Sequence, residues 1–214
     1  ASVVAVLAAA AEDKVTFLAV CGKDAVKAGV KAGDIVKHVC TVCGGNGGGN
    51  MNIYNGGAVA NILGGTIENG YARAKGGNIQ VSGGTLNLSG TALVIGGTAG
   101  SHGGNIVADS TNSILNISGG KIADGTTTGA STNGGNVYID ALKSATISGG
   151  VISGGKTNAI GGHGGNLYIG PKAEGKLTIT GGTFEDGIAG NQGGNISVNC
   201  DLEIANATIT GGIG

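Results

Sequence analysis

Four cysteines, three histidines and a scattering of acids are the reactive side chains of this sequence. The first group to weigh is Cys21 together with the stretch His38-Val39-Cys40-Thr41-Val42-Cys43. Zinc takes thiolates and imidazoles in a tetrahedron, and Cys-x-x-Cys is half of such a site; Cys21, His38, Cys40 and Cys43 would make four ligands. Disulfide pairing among the same thiols is the alternative in an oxidising compartment, and free thiols are the third possibility. The fourth cysteine, Cys200, stands far along the chain.

The acids Glu68, Asp109, Asp124, Asp140, Glu174, Glu185, Asp186, Asp201 and Glu203 are scattered. A polysaccharide lyase or hydrolase would need clustered carboxylates or calcium ligands on one face. Asp124 and Asp186 recur at equivalent places and are read as solvated corner aspartates. His102 and His163, each immediately before a Gly-Gly-Asn triplet, are read as surface turn residues. The expectation is a protein that is not an enzyme, with no catalytic residues and no cofactor.

The elements that would hold these residues come from a repeat. Gly-Gly-Asn places asparagines at Asn50, Asn78, Asn105, Asn136, Asn166 and Asn195, at intervals of 28, 27, 31, 30 and 29 residues. After each comes a triplet with apolar outer members, such as Ile79-Gln80-Val81, Val137-Tyr138-Ile139 and Leu167-Tyr168-Ile169. Period two reads as a strand. A second alternating run follows: Ala60-Asn61-Ile62-Leu63, Leu86-Asn87-Leu88-Ser89, Leu115-Asn116-Ile117-Ser118, Ala145-Thr146-Ile147-Ser148, Leu177-Thr178-Ile179-Thr180 and Ala207-Thr208-Ile209-Thr210. A third apolar anchor stands at Ile67, Leu93, Ile122, Ile152, Phe184 and Ile213.

Strands so short cannot hold a sheet within one repeat, but equivalent strands stacked at about 4.8 Å bury continuous apolar columns. The fold expected is all-β: a three-sided, right-handed parallel β-helix of about six coils over residues 44–214, with residues 1–43 as an N-terminal cap or coupling segment. That segment is expected to mix strand and turn, with a short helix around AVKAGVK. The six asparagines are read as a structural ladder, amide to amide along the axis.

Composition narrows the classes. The 214 residues include 48 glycines but one proline, so collagen is excluded, and 40% hydrophobic residues in alternation exclude a disordered linker. A net charge of −1 with no basic stripe makes nucleic acid an improbable partner. ASVVAVLAAAA is too short to span a membrane and reads as the start of a mature chain, as a first strand or as a trimmed signal.

The outward positions of the second run give two columns, Asn61, Asn87, Asn116, Thr146, Thr178, Thr208 and Leu63, Ser89, Ser118, Ser148, Thr180, Thr210. A flat hydroxyl and amide face invites an ice-binding reading, although Thr, Ser and Asn also suit any solvated strand. Asn87, Asn116, Asn195 and Asn206 lie in N-x-S/T acceptor motifs. Tyr138 and Tyr168 face outward one coil apart.

The phrases GGNVYI, GGNLYI and TITGGTFEDG resemble the Gly-Gly-Ala-Ile and Phe-x-x-Asn repeats of polymorphic outer membrane proteins and related β-helix surface proteins, with asparagine in place of the alanine. The resemblance covers residues 44–214 and implies an extracellular or cell-surface location and an adhesin-like or fibrous role. The function expected is a structural subunit that stacks head to tail with itself into a filament or surface fibre. The alternative is a cell-surface adhesin fragment that binds glycans. ATITGGIG stops in mid-template, offering an apolar end to a second copy, with ASVVAVLA as a strand that could complete it. Cys200 lies roughly 24 Å from the first coil of a straight solenoid, too far for a disulfide to the N-terminal cysteines of its own chain, but within reach across such a joint.

Overall fold

A computed structural model describes residues 3–11, 14–32, 35, 51–54, 58–158, 160–173 and 177–214. His38, Cys40, Cys43, Asn50 and Glu174 lie outside the described residues. The chain divides into two compact units, Ala1–Gly49 and Asn50–Gly214.

In the first unit Val4–Ala11 pairs antiparallel with Lys14–Cys21. The apolar opening stretch is thus a strand, already paired along one edge within its own unit. The helix spans Lys23–Lys27, a little earlier than the sequence suggests, with Asp24 in its first turn and Lys27 in its last, complementing the backbone dipole. Gly29 then takes φ 88°, a left-handed conformation that stops a helix.

The second unit is a parallel β-solenoid of about 5 turns with a spacing near 29 residues, in a chain that is 4% helical. Six Gly-Gly-Asn sites overcount the coils by one, because six stacked strands need only five full circuits to join them. The first sheet stacks Met51–Tyr54, Ile79–Ser82, Ile106–Asp109, Val137–Ala141, Leu167–Ile169 and Ile196–Val198. The second stacks Val59–Ile62, Thr85–Leu88, Ile114–Ala123, Ser144–Ser153, Leu177–Ile179 and Leu202–Ile204. In its two middle rungs the strand runs on for ten residues through Gly119-Gly120 and Gly149-Gly150, so the second and third runs share a sheet. The third run elsewhere is Thr66–Glu68, Leu93–Ile95, Thr183–Glu185 and Thr208–Thr210. A fourth side, absent from the sequence template, is made by the two-residue strands Tyr71–Ala72, Thr98–Ala99, Thr126–Thr127 and Lys156–Thr157, continued by bridges through Ile188 and Ile213.

Three assignments change. The third anchor of the second rung is Val94, which pairs with Ile67 and Ile122 and is wholly buried, whereas Leu93 pairs with Lys121. Leu93-Val94-Ile95 is apolar throughout, so alternation alone could not choose the inward residue. In the last rung Leu202–Ile204 aligns with Leu177–Ile179, and Thr208–Thr210 aligns with Thr183–Glu185. The run at 207–210 is therefore the third strand and not the second, Ile209 is its anchor, and Ile213 belongs to the fourth side. The corner at Asn199–Asp201 is shorter than its counterpart after Ile169, which displaces the template.

The core follows from alternation. Ile79–Ser82 is buried at its first and third residues, and Thr85–Leu88 at its second and fourth. Columns such as Val81, Ala108, Ile139 and Ile169 fill the interior. Each buried Val, Leu or Ile side chain contributes about 1.5–3 kcal/mol relative to exposure.

Candidate functional site

Of the asparagines picked out by the repeat, Asn78, Asn105, Asn136, Asn166 and Asn195 meet in the interior. Asn136 shows the arrangement: its Oδ1 accepts hydrogen bonds from Asn105 Nδ2 at 2.7 Å and from the Gly125 N–H at 2.8 Å. Its Nδ2 donates to the Ser153 carbonyl and to Asn166 Oδ1, both at 2.8 Å. An asparagine side chain can make four strong hydrogen bonds, and these four use all of them. The chain of amides runs Asn78 to Asn105 (2.6 Å), Asn105 to Asn136, Asn136 to Asn166, and Asn166 to Asn195 (2.7 Å). Asn78, Asn105, Asn136 and Asn166 are completely buried. Every amide points the same way, so the ladder has a direction.

On the outside of the first sheet a second set of side chains converges. The His102 ring stacks on Tyr138 with centroids 4.3 Å apart, and Tyr138 stacks on Tyr168 at 5.4 Å with an interplanar angle of 1°. His163 tilts against Tyr168 at 6.2 Å. Lys75 lies over the Tyr138 ring and pairs with Asp140 at 3.7 Å, while Asp109 accepts from Gln80 and Ser82. Both tyrosines are more than nine-tenths buried, and ring faces that touch one another are closed to a sugar. Burial, then Asp140, pushes the Tyr138 hydroxyl well above the usual phenol range.

His102 and His163 sit two rungs apart with Asn133 between them. The Asn133 N–H donates to His102 Nδ1 at 3.1 Å, and the His163 N–H donates to Asn133 Oδ1 at 2.9 Å. Burial, then the neighbouring Lys75, holds the His102 imidazole below its ordinary pKa, with Asp140 acting in the opposite sense. His102 is thus a ring-stacking residue, and His163 a half-buried one tilted against Tyr168, rather than bare surface turns.

Among the described residues no group of three or more His, Cys, Asp or Glu could hold a metal ion. Cys21 and Cys200 carry free thiols, and burial raises the Cys200 thiol pKa, with Asp201 adding to it. Among the described residues no helix is long and apolar enough to cross a membrane.

The outer column of the second sheet reads Asn61, Asn87, Asn116, Thr146, Thr178 and then Glu203, not Thr208. Thr208 and Thr210 fall on the third strand, so the face has no regular threonine rank. Asn116 donates to Asn87 and Asn87 to Asn61, each at 2.8 Å, forming an outer amide ladder.

One column escaped the sequence reading apart from its aspartates. At the corner after the third strand the rungs carry Asn69, Gly96, Asp124, Gly154, Asp186 and Gly211, all with positive φ between 54° and 66°. The signal was available: Asx-Gly alternates with Gly-Gly from repeat to repeat, which a one-repeat template averages away.

No family model matches the chain, and no solved structure matches it. A stretch of 46 residues, 22% of the chain, is 50% identical to an alanine–tRNA ligase of Latilactobacillus sakei and 52% identical, over the same length, to an alanine–tRNA ligase of Listeria innocua. The match spans about 5% of the length of each of those proteins.

Proposed function

We propose that this chain is a structural protein whose solenoid joins end-on to a second copy, building a filament or surface fibre outside the cell. The observation that carries the reading is the one-way stacking of like rungs: each adds the same strands and one amide to a ladder that runs from Asn78 to Asn195 in a single sense, a pattern that a further copy can extend. Ile204, Ile209 and Ile213 are 45%, 48% and 62% exposed, whereas Ile179 and Phe184, the residues stacked against the first two, are fully buried. Asn195, Ile196, Val198, Leu202, Ile204 and Ile209 line a hollow of about 530 Å³ at this end. Among the described residues Ile196–Val198, Leu202–Ile204 and Thr208–Thr210 each pair with a neighbour on one side only. Unpaired strand edges over apolar side chains are the template to which a further rung adds.

Direction follows from the ladder. Two last rungs placed face to face would oppose amide N–H groups, so continuation requires unlike ends, and heterologous contacts of that kind grow into an open filament when the rotation between copies does not close a ring. The cell-surface location rests on the repeat resemblance. The glycan-binding adhesin alternative would call on the tyrosine pair, whose faces are already used against each other and against His102. Alanine–tRNA ligase activity is not part of the proposal, the shared stretch being so small a part of those proteins.

Negative-stain electron microscopy of the 214-residue chain, with and without thiol reductant, tests the reading. Unbranched fibres that lengthen with protein concentration and survive reductant are expected, since strands and not Cys200 make the joint. Short isolated rods at every concentration would overturn it.

A further inference from the structure

Three rungs turn the corner after the third strand on an Asx-Gly pair: Asn69-Gly70, Asp124-Gly125 and Asp186-Gly187. Asn and Asp tolerate the left-handed conformation there, with φ of 56°, 54° and 55°. The glycine that follows is forced by the rung's own packing. An idealised Cβ on Gly70 would run into the Gly77 carbonyl oxygen and stand 2.6 Å from Asn78 Oδ1. One on Gly125 would stand 2.5 Å from the Gly135 carbonyl oxygen and 2.7 Å from Asn136 Oδ1, and one on Gly187 would run into the Gly194 carbonyl oxygen. The corner therefore requires a dipeptide that is chemically fragile, because a glycine nitrogen has no side chain to shield it from the Asx carbonyl carbon beside it.

The reaction that threatens such a pair is succinimide formation. The deprotonated glycine nitrogen attacks Cγ of the Asx and closes a ring; in Asn69 the Cγ–Nδ2 bond breaks and ammonia leaves with the proton. From Asp124 or Asp186 the group lost is water. Water then opens the ring at either carbonyl, giving aspartate or isoaspartate. Isoaspartate carries an extra methylene in the backbone, which would throw a corner out of register with the rungs stacked on it.

Each of these glycine N–H groups is held by the inner ladder. Gly70 donates to Asn78 Oδ1 at 2.7 Å, Gly125 to Asn136 Oδ1 at 2.8 Å and Gly187 to Asn195 Oδ1 at 3.0 Å. All three glycines are buried, although the Asx ahead of each is exposed. We infer that the ladder, besides joining rungs, keeps Asn69-Gly70, Asp124-Gly125 and Asp186-Gly187 as latent modification sites, blocking deamidation or isomerisation by binding the N–H that must be released for the ring to form. Base cannot reach an N–H that is both buried and donated, so the reaction waits until the corner opens. The same amides whose packing excludes a side chain after the Asx thus protect the pair that this exclusion creates.

Asn69 is the site to follow, since its deamidation changes mass and charge, whereas isomerisation of the aspartates changes neither. The full chain is incubated in mildly alkaline buffer and Asn69 is read by peptide mapping and mass spectrometry. Deamidation is expected to be at least about tenfold slower in the folded parent than in the same chain in urea, with hydrogen exchange at the Gly70 N–H slowed in step. Asn78→Ala removes the acceptor and is expected to abolish most of that protection. Asn133-Gly134 is the internal reference, because the Gly134 N–H donates to the His163 carbonyl at 2.9 Å and not to the ladder, and it should stay as slow as in the parent. Asn105→Ala also removes a ladder amide, but one whose oxygen takes the Gly97 N–H at a corner without Asx, so Asn69 should stay protected.

Equal deamidation at Asn69 in Asn78→Ala and Asn105→Ala, or equal acceleration at Asn69 and Asn133 in Asn78→Ala, would mean general loosening and overturn the inference. The comparison within the parent needs no variant to fold: Asn69 deamidating as fast in the folded chain as in urea would overturn it outright.

Discussion

Inside the solenoid Asn105 passes an amide hydrogen to Asn136 and Asn136 to Asn166, towards the C-terminus, at 2.7 and 2.8 Å; outside, Asn116 passes one to Asn87 and Asn87 to Asn61, towards the N-terminus, at 2.8 Å. Residue type, rung spacing and bond length are nearly the same in the two stacks, and their surroundings are not. The inner amides are sealed from water and also hold backbone groups: a glycine N–H and a carbonyl on every rung. Outer amides touch only one another, with solvent beside them. The hydrogen bond itself is therefore the lesser part of an asparagine ladder, and the cost of leaving buried partners unpaired is the greater.

Removing one rung from each stack separates the two most sharply. Asn136→Leu would leave the buried Gly125 N–H and one hydrogen of Asn105 Nδ2 without a partner, and would take one of two hydrogen bonds from the Ser153 carbonyl and from Asn166 Oδ1, which keep the Asp124 and Gly155 N–H groups. Unsatisfied buried groups cost about 1–3 kcal/mol each, so a loss of roughly 3 kcal/mol or more is expected, read as a large fall in the urea midpoint. Next in size is Gly154→Ala, which forces a side chain into both a left-handed corner and the Asp124 carboxylate. About 2 kcal/mol or more is expected, of which Asp124→Gly in the same chain should return all but the conformational part, roughly 1 kcal/mol. Asn87→Ala, on the outer ladder, should stay within about 0.5 kcal/mol in the same denaturation experiment. A loss from Asn87→Ala as large as that from Asn136→Leu would erase the distinction between the stacks.

The smallest effect is expected from pH. His102 is held below its ordinary pKa of 6.5 in the folded chain, so it contributes fully above that value. As pH falls through 6.5 towards the folded pKa, the unfolded chain takes up the proton first and stability declines. Protonation would also remove the acceptor of the Asn133 N–H. Thermal melts from about pH 7 down to about pH 5 should show this decline in the parent, and a shallower one in His102→Gln.

Much of this was legible in the sequence, and the reason is periodicity. Gly-Gly-Asn marks the inner ladder because only a rung-by-rung recurrence can stack amides, and the alternating triplets mark the strands that flank it. What could not be read lay where alternation fails. Leu93-Val94-Ile95 offers three apolar residues and no parity, and the short corner before Leu202 shifts the last rung by a strand. The fourth side hid because its strands are two residues long and mostly polar, as in Thr126–Thr127. The stacking of His102 on Tyr138 joins residues 36 positions apart in sequence, and no local pattern announces it. The Asx and glycine alternation was visible but needed two repeats to be taken as one unit.

The rung of Ile196–Val198, Leu202–Ile204 and Thr208–Thr210 differs from the middle rungs in having strand partners on one side only among the described residues. End-on pairing is best probed by backbone hydrogen–deuterium exchange, followed as the protein is concentrated. Amides in Ile196–Val198, Leu202–Ile204 and Thr208–Thr210 should exchange faster than those of the rungs at 106–153 in dilute solution and slow markedly on concentration. Exchange at these strands that is indifferent to concentration would mean that the end rung pairs with nothing.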